Sequence, residues 1–134
     1  MATSRIEYLG GLRTKCTHLK SGTEILTDAP TDNHGKGEAF SPTDLVATAY
    51  ISCMMTIVGI YCNNHNIEMV GGTGEVTKVM ASGPRRIEQL KIELDFSMNN
   101  WSGEIKEQII RAAEACPVAK SVSEGMIVDV EYRF

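Results

Sequence analysis

The chain has no concentrated basic segment: 13 Lys and Arg stand against 17 Asp and Glu, for a formal charge of −4 over 134 residues. Nucleic acids and anionic membranes call for a dense basic surface, so neither is expected as a partner. No CxxC or HExxH pattern occurs, and the pairs Cys16-Thr17-His18 and Cys62-Asn63-Asn64-His65 are too sparse for a metal centre. No metal and no other cofactor is expected. Gly71-Gly72-Thr73-Gly74 lacks the surroundings of a phosphate loop and reads as a flexible or bulged start to a strand. Repeats, linkers and low-complexity stretches are absent, and 43% hydrophobic residues suit one ordinary core, so residues 1–134 are expected to form a single domain. The opening Met-Ala-Thr-Ser-Arg-Ile-Glu lacks the apolar run of a secretory leader, from which a cytoplasmic location is expected. In that reducing compartment four cysteines point to catalysis or simple burial rather than to a disulfide framework.

What is present reads as strands, helix, strands, helix, strand. Residues 5–9, 12–19 and 23–28, separated by Gly10-Gly11 and Ser21-Gly22, predict a three-stranded antiparallel meander. Residues 29–40 hold Pro30, Asp32, Asn33, Gly35 and Gly37 and form a loop. Ser41-Pro42-Thr43-Asp44 then starts a helix: Ser41 caps free amides, Pro42 suits the first helical position, and Asp44 completes a capping box. The helix should reach Asn63-Asn64. Its apolar residues surround the wheel, so burial on most sides is expected. Residues 45–62 approach transmembrane length, but Thr48, Ser52 and Thr56 dilute the apolarity, and a globular core helix is the better reading. Residues 68–80 and 86–96 predict a hairpin around Ala81-Ser82-Gly83-Pro84, with Leu90, Ile92, Leu94 and Phe96 alternating against Lys91, Glu93 and Asp95. A second helix is predicted over 103–115, ending before Pro117, and Met126, Val128, Val130 and Tyr132 close the chain as a half-buried strand.

Two cysteines carry the chemistry. Cys53 lies within the uncharged stretch 45–62, too deep in the helix for its dipole to lower the thiol pKa, so activation needs a nearby cation. Cys116 precedes Pro117 where the backbone must leave the helix, a place suited to a thiol that attacks a sulfenic acid. Cys16 on a strand and Cys62, half a turn round the helix from Cys53, read as structural.

Thr27-Asp28-Ala29-Pro30, then Gly35-Lys36-Gly37-Glu38-Ala39-Phe40-Ser41-Pro42-Thr43-Asp44-Leu45-Val46 running to Ser52-Cys53, resembles the signature of the osmotically inducible protein C and organic hydroperoxide resistance family. Ala112-Ala113-Glu114-Ala115-Cys116-Pro117-Val118 with Ser121-Val122 resembles its second signature, and the likeness runs along essentially the whole chain. The resemblance implies an intertwined homodimer with long central helices wrapped by sheets from both chains. It implies reduction of organic hydroperoxides, with Cys53 forming a sulfenic acid, Cys116 resolving it as a disulfide, and an external dithiol regenerating the pair. Where family peroxidases carry a glutamate that orients an arginine on the thiolate, this chain has Thr43, with Asp44 one residue later. Arg13 is the best candidate for the cation, the loop offering Lys36 and His34 instead.

The expectation is therefore an α+β protein: an N-terminal antiparallel meander, a long buried central helix, and a second antiparallel sheet with a further helix, assembled as an intertwined dimer. Its expected activity is thiol-dependent peroxidation through Cys53 and Cys116, supported by Arg13, Asp44 or Lys36. The rival readings are a non-enzymatic relative that binds a small hydrophobic ligand or thiol metabolite at the dimer interface, favoured by the missing glutamate, and a redox sensor, for which no DNA-binding element is present.

Overall fold

The Gly-punctuated first third folds as the spacing of its turns requires. In the computed structural model, which describes residues 1–134, strands β1 (Ser4–Gly10), β2 (Arg13–His18) and β3 (Glu24–Asp28) form an antiparallel sheet in that order, as expected. The β1–β2 turn takes Gly10, Gly11 and Leu12 through φ of 82°, 62° and 61°, a left-handed path that the two glycines adopt without a Cβ penalty. The chain divides into two compact units, Met1–Val46 and Ala47–Phe134.

In the first unit the register places Ile6, Cys16 and Ile25 side by side on one sheet face, with Tyr8 two residues along. That face is bare: Ile6, Tyr8 and Ile25 are 57%, 66% and 45% exposed. The other face carries Glu7, Lys15, Arg13 and Asp28. Thr27, Asp28 and Ser41 are the residues buried here, so the sheet encloses no apolar core of its own. After β3 the loop closes tightly. Gly35 N–H donates to Pro30 O at 2.9 Å, and a Cβ on Gly35 would sit 1.6 Å from Ala29 O, so only glycine fits. Helix α1 (Pro42–Asn64) then starts with the predicted capping box: Ser41 Oγ accepts from Asp44 N–H at 3.0 Å, and Asp44 Oδ2 accepts from Ser41 N–H at 2.9 Å.

The second unit holds the rest of α1, strands β4 (Thr73–Ala81), β5 (Arg86–Asp95) and β6 (Ile127–Arg133), and helices α2 (Gly103–Glu114) and α3 (Pro117–Ser121). The β4–β5 hairpin is antiparallel, but β6 joins β5 in parallel, which corrects the expected all-antiparallel second sheet. The reason is the connection: a chain that leaves β5 and returns through helices can re-enter the sheet in the same direction, which a tight turn cannot do. The short helix α3 was not foreseen. The predicted first strand of the hairpin also began too early, because side chains satisfy the backbone of residues 68–71: Trp101 Nε1–H donates to Glu68 O at 2.9 Å, and Asn99 both accepts from Val70 N–H at 2.7 Å and donates to Gly71 O at 2.8 Å.

One stripe of α1, Tyr50, Met54, Val58 and Cys62, enters the core with Leu90, Ile92 and Leu94 of β5, Phe96, Trp101, and Ile109 and Ala113 of α2. Burial on most sides does not hold within the single chain. The i, i+4 stripe is buried, whereas Val46 and Ile60 remain exposed and Ile51 and Met55 half-buried, because the sheet covers one side of the helix. Close approach explains the glycines at the start of β4. A Cβ on Gly74 would lie 2.8 Å from Ile51 Cδ1, and one on Gly72 would lie 2.9 Å from Met55 Sδ.

Candidate active site

Cys53 rides α1 three residues after Tyr50, half-buried at the margin of the core stripe. Cys116 is fully buried in the break between α2 and α3. Pro117 forces that break: Cys116 has φ −65° and ψ 145°, the extended backbone that a residue before proline adopts. The freed first turn of α3 then caps itself on the thiol, Ala119 N–H donating to Cys116 Sγ at 3.3 Å. Both thiols are free, and Cys53 is the titratable side chain that acts on the Cys116 thiol. The two predicted cysteines, far apart in sequence, are thus brought together by α1 and the α2–α3 junction.

Burial sets the electrostatics of this cluster. It pushes the Cys116 thiol above its ordinary value, opposed by the amide of Ala119 and reinforced by Cys53. Burial likewise raises Tyr50, with Cys116, Glu114 and Cys53 adding to it. Tyr132, on β6, is raised strongly, first by burial and then by the Glu114 carboxylate, Tyr50 and Cys116. Tyr50, Cys116 and Tyr132 are therefore held in their neutral, proton-bearing forms at pH 7, while Glu114, at the solvent-exposed end of α2, acts on Tyr50 and Tyr132. Cys62, on the core stripe, is also pushed up by burial.

The other predicted residues belong to the first unit. Arg13 lays its guanidinium against buried Asp28 as a two-pronged pair, Nε to Oδ1 at 2.7 Å and Nη2 to Oδ2 at 2.8 Å, and also donates to Glu38 at 3.0 Å. Asp28 accepts in addition from Glu38 N–H at 3.1 Å, and the Arg13 pairing holds its carboxyl below the usual range. Lys36 is exposed, its chain end lying against Gly11 and its charge acting on Asp28. Asp44 serves the capping box. Of the sparse metal-ligand pairs, His18 is bonded to Ser21 at 2.6 Å, and His65 is stacked on Tyr61 with its ring nitrogen 2.9 Å from Tyr61 O.

Five residues were missed from sequence. Tyr50 was within reach, being one helical turn before Cys53, and Glu114 stands two residues before Cys116 inside the quoted motif. Asp28 and Glu38, also inside quoted motifs, had no signal naming Arg13 as their partner. Tyr132 was read as half-buried, but its place among the thiols depends on the parallel pairing of β6.

The fold and the site together define an α+β protein with two juxtaposed thiols, one on a core helix and one at a helix break. The family model described as OsmC-like protein matches residues 35–131, and the chain belongs to that family. It is similar to a protein of Psychrobacter arcticus 273-4 provisionally named for osmotic stress induction and detoxification response, at 47% identity and TM-score 0.94, covering 99% of this chain and 96% of the other. An organic hydroperoxide resistance protein OsmC from Legionella pneumophila shares the fold at 17% identity, TM-score 0.75, with 100% and 98% covered. So does the organic hydroperoxide resistance protein OhrB of Bacillus subtilis, at 19% identity, TM-score 0.70, with 98% of each chain covered. Comparison with curated protein sequences returned no match.

Proposed function

We propose that the chain is a thiol-dependent peroxidase that reduces organic hydroperoxides. The observation that carries this reading is the meeting of a half-exposed thiol on α1 with a buried thiol at the α2–α3 break. The Cys53 thiolate attacks the outer oxygen of ROOH, the O–O bond breaks, and RO⁻ leaves to take a proton as ROH. Cys53 is then a sulfenic acid. The Cys116 sulfur attacks it, the S–O bond breaks, and a disulfide and one water result. A dithiol reduces that disulfide through a mixed disulfide and is itself oxidised. Cys53 packs against the apolar core, which favours an organic peroxide over hydrogen peroxide, since each buried methylene contributes about 0.8 kcal/mol. The working form is proposed to be a homodimer, for which the bare apolar sheet face and the exposed residues of α1 are the support.

With a dithiol present, cumene hydroperoxide should be consumed much faster than hydrogen peroxide. Cys53→Ser should abolish turnover. Cys116→Ser should permit one equivalent of oxidation and leave a trappable sulfenic acid at Cys53. Consumption that persists in Cys53→Ser would refute the assignment.

A further inference from the structure

Tyr132 carries a hydroxyl that the fold buries and that meets no partner at full hydrogen-bond geometry, Glu114 being the side chain placed to bond it. Native folds keep few such groups, and each one asks for a reason. β6 sets its position: Tyr132 stands opposite Leu94 in the parallel register, and its ring stacks on Phe134 with centroids 6.2 Å apart. Three further elements converge on the hydroxyl. Glu114 approaches from the end of α2, Tyr50 from α1, and Cys116 from the α2–α3 break, with Cys53 beyond them acting on Tyr50 and Cys116. These five groups are the titratable side chains that act on one another here.

The resolving step needs a proton path. Cys116 has no exposed surface, its thiol bears its proton at neutral pH, and it must lose that proton to become a nucleophile. Glu114 is the most exposed member of the cluster and is able to accept one. We propose that Tyr132 is the proton relay between Cys116 and Glu114 during disulfide closure, an assignment that rests on the peroxidase reading above. As the Cys116 sulfur donates its electron pair to the Cys53 sulfur, its proton passes to the Tyr132 oxygen, and the Tyr132 proton passes to the Glu114 carboxylate. The S–O bond of the sulfenic acid breaks, hydroxide departs, and the proton on Glu114 reaches it through solvent to complete one water. The orphaned hydroxyl is thereby free to bond to whichever neighbour holds the moving proton.

The test uses the full chain with Cys16 and Cys62 replaced by Ser, and 5,5′-dithiobis(2-nitrobenzoate) as probe. Attack by Cys53 releases a first thionitrobenzoate, and closure by Cys116 releases the second, so the two steps are read separately and without any hydroperoxide. Tyr132→Phe is expected to slow the second release roughly tenfold or more, with a steeper dependence on pH, while leaving the first unchanged. Its thermal midpoint should stay level or rise, because the buried hydroxyl removed makes no full hydrogen bond. Glu114→Gln should slow the second release likewise. A second release equal to the parent's at every pH overturns the relay, as does equal slowing of both releases or a fall in midpoint. Failure to trap a sulfenic acid in Cys116→Ser with cumene hydroperoxide would instead retire the peroxidase reading, and the closure measurement would still decide the relay.

Discussion

At the residue scale the chain separates two kinds of acid. Asp28 is fully buried yet stays ionised because Arg13 meets it with two donors and Glu38 N–H adds a third. Its folded pKa lies below the unfolded value, so its stabilisation is complete above that unfolded value, near about 4, and is lost as pH falls through the folded one. Asp28→Asn should therefore lower the thermal midpoint by several degrees at neutral pH and lose less than the parent on acidification. Melting curves between about pH 7 and pH 3 check this, and parallel acid limbs for the two proteins would contradict it. Cys116 and Tyr132 run in the opposite sense: burial raises both, so the stability they confer is intact below their unfolded values and declines as pH rises through the folded ones. The parent should lose midpoint above about pH 9, and Tyr132→Phe should lose less.

At the element scale the first turn of α1 is fixed by reciprocal bonds between Ser41 and Asp44. Ser41→Ala removes the acceptor of Asp44 N–H and should cost about 1 kcal/mol. Asp44→Asn keeps an acceptor oxygen and should cost a few tenths at most, with the pH profile of Cys53 alkylation unchanged. A displaced profile would give Asp44 the charge role that the sequence left open. The start of β4 is held more rigidly. Gly74→Ala would press on Ile51 Cδ1 at 2.8 Å and on Glu93 O at 3.1 Å, and the backbone oxygen cannot rotate away. A loss of about 1–3 kcal/mol in chemical denaturation is expected, and an unchanged midpoint would show that the strand shifts freely.

At the scale of the whole molecule the apolar surface is the dominant fact. Ile6, Tyr8 and Ile25 stay exposed together on one face of the first sheet, in a unit that buries no apolar core of its own, and Val46 and Ile60 of α1 are exposed as well. An exposed apolar sheet face of this kind marks an interface. A homodimer should persist at micromolar concentration, and its melting should depend on protein concentration. Light scattering that finds a folded monomer under those conditions would remove the dimer from the proposal.

The sequence determined by itself whatever depends on near neighbours. Gly10-Gly11 and Ser21-Gly22 set the meander, Ser41 to Asp44 set the start of α1, the alternation from Leu90 to Phe96 set the buried face of β5, and Pro117 set the break that frees Cys116. Tertiary structure decided what depends on partners distant in the chain. The helical return that makes β6 parallel carries Tyr132 to the thiols, and the pairing of β2 with β3 places Arg13 across from Asp28. The direction of a strand pair, and the identity of the side chain that meets a buried charge, follow from the path of the chain between them, and no local pattern encodes that path.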